Sequence, residues 1–212
     1  MARTALTRLP EKASTDRGLL DALLDGSRIG HVGFVCDDQP VVIPTAVARD
    51  GDRVLAHGST GSRWMRMLAS GAPACLAVTA VDALVVARSS FEASMHYRSA
   101  VLFGTFRVIE GADERLRALD KLTESLLPGR VAEVRRPTAK ELAATLVLAM
   151  PICEWSLKVS DGWPEDLPED VEEDAWAGVV PLTLVAGPAL DAPDLRPGIA
   201  VPASVRRLAQ AP

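Results

Sequence analysis

Residues 57–63, with the sequence HGSTGSR, bring together the kinds of group that bind phosphate. The stretch follows a strand-like run and comes directly before a run with helical apolar spacing, where the first N–H groups have no intrahelical partner. Its two glycines let a ligand approach the backbone, its hydroxyl side chains add donors, and Arg63 can contact two phosphate oxygens. It matches neither the Walker-type nor the dinucleotide glycine fingerprint. The stretch predicts an anion site or, as the alternative, a plain helix cap made by Thr60 or Ser62.

Short strands and short turns must position this stretch. Residues 28–36, 41–49 and 53–57 are rich in β-forming residues, and turn signals separate them. Three strands joined by short turns indicate an antiparallel meander rather than parallel strands with helical crossovers. The other predicted elements are helices over 14–26, 62–70, 113–127 and from a capping box at 138–141, a hairpin of strands 72–80 and 83–88, strands over 97–109, 146–151 and 155–159, and an apolar segment over 176–185.

These elements predict a mainly β protein with helices (β+α), built as an antiparallel barrel with helices at its corners. We expect a mobile arm over residues 1–13, the barrel domain over 14–185 and a proline-rich surface tail over 186–212. The acidic run at 165–174 is predicted to be a solvated loop.

The composition excludes several classes of function. Hydrophobic residues make up 48% of the 212 residues, which is ample for a core, and the net charge is −5. An acidic chain lacks the broad basic face that nucleic acid requires, although one local basic pocket stays possible. No run approaches the roughly 18 apolar residues of a membrane span, and the N-terminus lacks the apolar core of a secretion signal. We therefore expect a cytoplasmic protein with neither nucleic acid nor membrane as a partner.

The cysteines and histidines are too scattered to predict a metal centre. Cys36, Cys75 and Cys153 each lie in an apolar segment, which predicts buried free thiols in a reducing compartment. The three histidines show no metal-ligand spacing, so no metal site is predicted. His31, on a predicted strand, is interpreted as a structural residue.

Two long segments and two short ones resemble the pyridoxamine 5′-phosphate oxidase-like FMN-binding split barrels, in particular the flavin-nucleotide-binding branch similar to nitroimidazole-resistance reductases. The long segments are HVGFVCDDQPVVIPTAVARDGDRVLAHGSTGSR and LVVARSSFEASMHYRSAVLFGTFRVIEG, and the short ones are LLPGR and WAGVVPL. The resemblance implies an antiparallel split barrel that works as a homodimer, with the cofactor at the subunit interface.

The resemblance also implies which residues hold the cofactor. In that family a Ser-Arg pair at the start of the helix after the third strand holds the FMN phosphate, and Ser62 and Arg63 correspond to it. Oxidases of the superfamily usually continue this pair with a lysine, whereas this chain has Trp64, so one charge is missing there. The remaining implied contacts are Pro44, Thr45 and Ala46 beside the flavin ring, and His57, Gly58 and Ser59 along the same cofactor.

Three residues further along the chain have two interpretations each. Arg88 ends a predicted strand and either reaches the FMN phosphate or ribityl chain, across the subunit interface, or is an edge arginine in solvent. His96 and Tyr97 start a predicted strand and either orient a substrate and supply a proton, or tie down the preceding loop.

The resemblance implies an FMN-dependent oxidoreductase that reduces or oxidises a small organic substrate, such as a nitroaromatic, a quinone-like compound or a specialised metabolite. Oxidation of pyridoxamine phosphate is less favoured, because no second phosphate-binding set is evident. The alternative is a module that carries flavin, deazaflavin or haem without turnover. A haem would require one of the three histidines as its axial ligand.

Overall fold

The computed structural model describes residues 3–210, so residues 1–2 of the predicted arm and 211–212 of the predicted tail lie outside it. Within this part of the chain, ten strands form one antiparallel sheet with attached helices. The strands are β1 (Ala13–Ser14), β2 (Ile29–Cys36), β3 (Gln39–Asp50), β4 (Arg53–Ser59), β5 (Pro73–Val86), β6 (Ser94–Thr105), β7 (Arg107–Val108), β8 (Thr145–Pro151), β9 (Glu154–Ser160) and β10 (Gly178–Pro181). The α-helices are α1 (Arg17–Gly26), α2 (Arg63–Ala69), α3 (Ala112–Leu126), α4 (Ala139–Ala143), α5 (Pro168–Val171) and α6 (Ala203–Gln210).

The strand order is β1-β9-β6-β5-β2-β3-β4-β8-β7, with β10 added to β5. The long strand β3 joins the two halves of the sheet, because its first residues pair with β2 and its last four with β4. The predicted meander of three strands is confirmed, and so is the mainly β, antiparallel fold. The tight turn between β2 and β3 places Asp37 and Asp38 at φ values of 50° and 58°, which aspartate tolerates better than most residues.

Two apolar clusters lie on opposite faces of this sheet. The larger one fills the inside of the fold and includes Leu76, Leu102 and Met150, all fully buried. The smaller one lies on the outside, where α3 covers Leu55 and Val147. Side chains alternate along a strand, so Val54 and Ala56 of β4 face the inner cluster and Leu55 faces the outer one.

The predicted hairpin over 72–88 is wrong, because residues Pro73–Val86 form the single strand β5. The turn-like pair Val81-Asp82 marks a register shift in the pairing with β6. An extra residue in one strand of an antiparallel pair is a β-bulge. Asp82 accepts two hydrogen bonds from Arg98 of β6, at 2.9 and 2.8 Å, so its carboxylate is held across the strands.

The exposure of the cysteines differs from the prediction at one position. All three cysteines are free, but Cys153 is exposed, while Cys36 and Cys75 are half-buried. Cys153 lies between β8 and β9, where the chain reverses and the side chain faces solvent. The prediction of buried thiols is therefore wrong for Cys153.

The two ends of the described chain both contact the sheet or its helices. Strand β1 pairs with β9, and α6 lies against the segment after α3, where the Ser204 N–H donates to Glu133 at 2.9 Å. The predicted boundaries at 13/14 and 185/186 stay a prediction. Among residues 3–210, no helix is both long and apolar enough to cross a membrane.

Candidate functional site

The predicted strand-to-helix corner is present, with β4 ending at Ser59 and α2 beginning at Arg63. Its loop N–H groups are used within the chain. Thr60 N–H donates to the Ala144 carbonyl at 3.0 Å, and Ser62 N–H to the Ser59 carbonyl at 3.0 Å. Gly61 N–H donates to Ser59 Oγ at 3.1 Å. The expected cradle of loop N–H donors is therefore not available, and an anion here would be bound mainly by side chains.

Ser62 is the N-cap residue of α2, yet its side chain makes no cap hydrogen bond. The alternative in which this serine merely caps the helix is therefore wrong. Its hydroxyl group is left for another partner beside Arg63. The helix has only seven residues, so its dipole adds little to the corner.

Arg63 is 69% exposed and donates to Asp37 at 2.5 Å, which ties the corner to the β2–β3 turn. This hydrogen bond raises the pKa of Arg63, so the guanidinium keeps its charge at any physiological pH. Exposed ion pairs contribute little to stability, since water screens both charges. A phosphate can therefore compete with the Asp37 carboxylate for this guanidinium.

Gly58 has a packing role at the corner. A Cβ atom at this position would lie 2.9 Å from Cγ of Met65, which is fully buried. Distances this short require the neighbouring side chain to move. The glycine therefore lets α2 pack directly against β4, which places Ser62 and Arg63.

Pro44, Thr45 and Ala46 lie on β3, next to the end of β4. They pair with His31, Gly30 and Ile29 of β2, and the β3–β4 pairing begins one residue later, at Val47. Because side chains alternate, Pro44 and Ala46 share one face of β3 and Thr45 lies on the other. Residues 44–46 thus precede the part of β3 that pairs with β4, and Ser62 and Arg63 lie three and four residues beyond the end of β4.

His57 lies on the outward face of β4 with Leu55 and lines an open cleft of about 480 Å³. Its Nδ1 atom is buried and has no hydrogen-bond partner among residues 3–210. A buried polar atom without a partner is uncommon and calls for an explanation. Burial also lowers the pKa of His57, so the imidazole is neutral at pH 7. The other residues that line the cleft are Leu119, Arg135, Pro137, Glu141 and Thr145.

The cleft also contains a charged pair, Arg135 and Glu141. Arg135 donates to Glu141 twice, at 2.8 and 2.6 Å. Glu141 also completes the predicted capping box with Thr138, which is confirmed. The hydrogen bonds from Arg135 and from the Thr138 N–H lower the pKa of Glu141 to about 2, so the carboxylate stays ionised. The cleft therefore presents a neutral imidazole beside an oriented guanidinium.

The lowered pKa of His57 predicts a pH dependence of stability. Below the unfolded-state pKa, about 6.5, the unfolded chain takes up a proton that the folded chain resists. The free energy of unfolding is therefore expected to fall as the pH drops through and below this value. In a His57→Gln variant this part of the fall is expected to disappear. Urea unfolding of both proteins at several pH values between 5 and 8 measures the free energy of unfolding. The same change of this free energy with pH in both proteins would contradict the prediction.

Arg88 lies beyond the end of β5 and is engaged by Asp166. Its backbone N–H donates to Asp166 at 2.8 Å and its Nη1 at 2.9 Å. The Asp166 side chain is only 2% exposed, so the acidic run is not a wholly solvated loop, and that prediction is wrong at this residue. The predicted contact of Arg88 with a cofactor stays a prediction.

His96 and Tyr97 lie on β6, and two strands, β2 and β5, separate them from β3 in the sheet order. His96 Nε2 is 2.9 Å from the Gly162 carbonyl oxygen, a contact that holds the loop after β9. Tyr97 is half-buried and pairs with Val81 and Ser160. Within one chain, the structure does not bring these two residues to the corner.

The sequence interpretation did not place Leu119, Arg135 and Glu141 beside His57, and it did not pair Asp166 with Arg88. Leu119, Arg135 and Glu141 belong to α3, to the loop after it and to α4, and only tertiary packing brings them to His57. The capping box was the one local signal for Glu141. No group of three or more His, Cys, Asp or Glu side chains placed to hold a metal ion is found in residues 3–210.

Comparison with known proteins identifies the fold and the family. The family model described as pyridoxamine 5′-phosphate oxidase matches residues 16–159. The FAD and heme binding protein from Mycobacterium smegmatis is 54% identical, with 93% of this chain and 97% of that chain covered and a TM-score of 0.89. The flavocytochrome Anf3 from Azotobacter vinelandii is 33% identical, with 98% and 97% covered and a TM-score of 0.90.

A more distant structure shares the fold alone. It is a putative 5-nitroimidazole antibiotic resistance protein from Bacteroides thetaiotaomicron, 20% identical, with 69% of this chain and 86% of that chain covered and a TM-score of 0.61. No curated protein matches the chain at a significant level. The chain belongs to the pyridoxamine 5′-phosphate oxidase family and has its antiparallel split-barrel fold.

Proposed function

We propose that the chain is a cytoplasmic redox protein that binds a flavin nucleotide and haem and works as a homodimer. The observation that carries the proposal is the 54% identity to a protein described as binding FAD and haem, over 93% of this chain. A second relative described as a flavocytochrome covers 98% of it. Bound flavin supplies hydride and electron transfer, and haem iron supplies one-electron chemistry. The first of these relatives favours FAD over the FMN that the sequence resemblance implied.

The corner fits the phosphate end of a flavin nucleotide. Arg63 offers an exposed guanidinium, and Ser62 offers a hydroxyl group that makes no cap bond. Pro44 and Ala46 share one face of the adjacent strand, where a flat ring can lie against the backbone. Thr45 is half-buried on the other face of the same strand.

His57 would suit a ligand of haem iron better than the other two histidines would. It is neutral at pH 7 and has a buried nitrogen without a partner among the described residues. Neutral imidazole is the usual protein ligand of haem iron. His96 is already held by the Gly162 carbonyl, and His31 is exposed on β2. Arg135, in the same cleft, could pair with a haem propionate.

The outer face of the sheet fits a second copy of the chain. Val35 and Val42 are each 62% exposed on the neighbouring strands β2 and β3. Ile29 is also exposed on the same side of β2, since the three side chains share the outward face. Contiguous apolar surface of this kind marks an interaction site. It adjoins Pro44 and Ala46, so a partner subunit there would also cover the flavin ring.

The proposed activity is reduction or oxidation of a small organic substrate, and a carrier without turnover is the second candidate. One observation favours the carrier: His96 and Tyr97 lie two strands away from the corner, and His96 is held by the Gly162 carbonyl. Reduction of the bound chromophores by NADH or NADPH, followed by reoxidation with a quinone, distinguishes the two. A bound chromophore that never changes its redox state would favour the carrier without turnover.

The visible spectrum of the purified protein tests the proposal. We expect flavin bands together with a Soret band, and FAD as the flavin released on denaturation. A His57→Phe variant is expected to lose the Soret band and keep the flavin bands, whereas the matched control His96→Phe keeps both. Loss of flavin alone in His57→Phe would assign this residue to the flavin instead. A colourless protein that takes up neither FAD nor haemin would overturn the proposal, and a monomer by light scattering would overturn the dimer.

A further inference from the structure

An apolar cavity of about 250 Å³ lies beside the corner, between the β2–β3 hairpin and α2. The hairpin contributes one wall and the helix the other. Apart from one guanidinium, its lining carries no charged side chain. The lining residues are Phe34, Cys36 and Val41 from the hairpin, and Arg63, Trp64 and Met67 from α2.

The cavity is built on a rigid base. Phe34 is 7% exposed and pairs directly with Val41, so the hairpin wall is fixed by the sheet. Trp64 and Met67 are three residues apart on α2, which places them on one face of the helix. Both are half-buried and pack against the inner core from the open side of the cavity. Trp64 therefore contributes a half-buried aromatic side chain to the lining of the cavity.

Arg63 belongs both to the phosphate corner and to the cavity. It lines the cavity, and its bond to Asp37 holds it at the end of the β2–β3 hairpin. A phosphate bound by Ser62 and Arg63 would therefore lie at one edge of the cavity, and the flavin ring proposed against Pro44 and Ala46 would extend from the other side of that phosphate. A dinucleotide with a diphosphate in its middle has this arrangement of a ring on each side.

We propose that this cavity binds the adenine ring of FAD, and that Trp64 is the residue that makes the chain prefer FAD over FMN. The proposal rests on the proposed function, because it requires a flavin at the corner. Adenine is flat and has apolar faces, and stacking on an aromatic side chain strengthens the binding of a base by about tenfold to a hundredfold. FMN ends at its single phosphate and has nothing to place in the cavity.

The test compares FAD and FMN on the full-length chain stripped of cofactor, by calorimetric titration. In Trp64→Leu, which keeps an apolar side chain but removes the flat ring, FAD is expected to bind about tenfold to a hundredfold more weakly. The affinity for FMN is expected to change by less than about threefold, because FMN lacks the adenine ring that would stack on Trp64. Trp64→Phe is expected to restore most of the FAD affinity. The control is Trp163→Leu, an exposed tryptophan outside the cavity, which should behave as the wild type.

Each other outcome rejects a specific part of the proposal. Equal weakening of FAD and FMN in Trp64→Leu would make Trp64 a packing residue and overturn the inference. Unchanged FAD binding in Trp64→Leu would show that adenine does not stack on Trp64, and would overturn the inference. If Trp64→Leu does not fold, competition by adenosine on the wild type decides, since adenosine has no phosphate to compete at Ser62 and Arg63 and must displace FAD much more than FMN. If the wild type binds neither flavin, the proposed function itself has failed.

Discussion

Replacing Asp166 by alanine is expected to lower the free energy of unfolding by about 3–5 kcal/mol. The carboxylate accepts a backbone and a guanidinium hydrogen bond from Arg88, at 2.8 and 2.9 Å. Its side chain is 2% exposed and that of Arg88 is 27% exposed, so little water could replace the lost bonds. The variant would keep a partly buried charge and a backbone donor without their partner. Breaking such a pair costs more than the pair contributes.

Urea unfolding of the variant measures this loss, and Glu169→Ala is the matched control. Glu169 belongs to the same acidic run but is exposed, so its removal should change stability by less than about 0.5 kcal/mol. A double variant, Arg88→Leu with Asp166→Leu, removes both charges and should recover part of the loss. Equal free energies of unfolding for Asp166→Ala and Glu169→Ala would show that the Arg88–Asp166 pair does not stabilise the fold.

Replacing Arg63 by alanine is expected to weaken flavin binding by about tenfold to a hundredfold, the loss of one charge-assisted contact. The loss should be similar for FMN and FAD, because both place a phosphate at Ser62 and Arg63. It should also shrink as salt is raised, since the guanidinium is exposed and its field is screened. Fluorescence titration of each flavin at two salt concentrations measures both effects.

Two further variants control for indirect effects at the corner. Arg66→Ala removes an exposed arginine from the same helix and should leave the affinity unchanged. Asp37→Asn removes the carboxylate that competes for the Arg63 guanidinium, so flavin should bind somewhat more tightly. Wild-type affinity in Arg63→Ala would move the phosphate away from this corner.

Local signals in the sequence predicted the elements that local contacts determine. The β2–β4 meander follows from turn residues at 37–38 and 51, and the capping box at Thr138 and Glu141 from side chains three apart. The pair Val81-Asp82 was wrongly predicted as a turn. A bulge and a turn use the same kinds of residue, and only the unbroken pairing of β5 with the long strand β6 distinguishes them.

The candidate site was predictable where it is contiguous in sequence. Residues 57–63 carry the corner within seven positions, so their types alone indicated an anion site. The use of the loop N–H groups was not predictable, because the acceptor for Thr60 is the distant Ala144 carbonyl. The burial of Asp166 was also hidden, since its acidic neighbours suggest exposure and its partner is Arg88, far back in the chain.

One edge of β5 pairs with two strands, β2 and β10, and the second of these is made much later than β5. Strand β2 covers Ala74–Ala77, while Ala83–Val86 is covered by β10, which follows much later in the sequence. Until β10 has left the ribosome, this half of the edge has no partner from its own chain, although β6 already covers the other edge. Unpaired strand edges with apolar side chains such as Leu84 recruit other strands. A fragment cut before Gly178 is therefore expected to aggregate through Ala83–Val86, and the last short strand protects this edge only after most of the chain has been made.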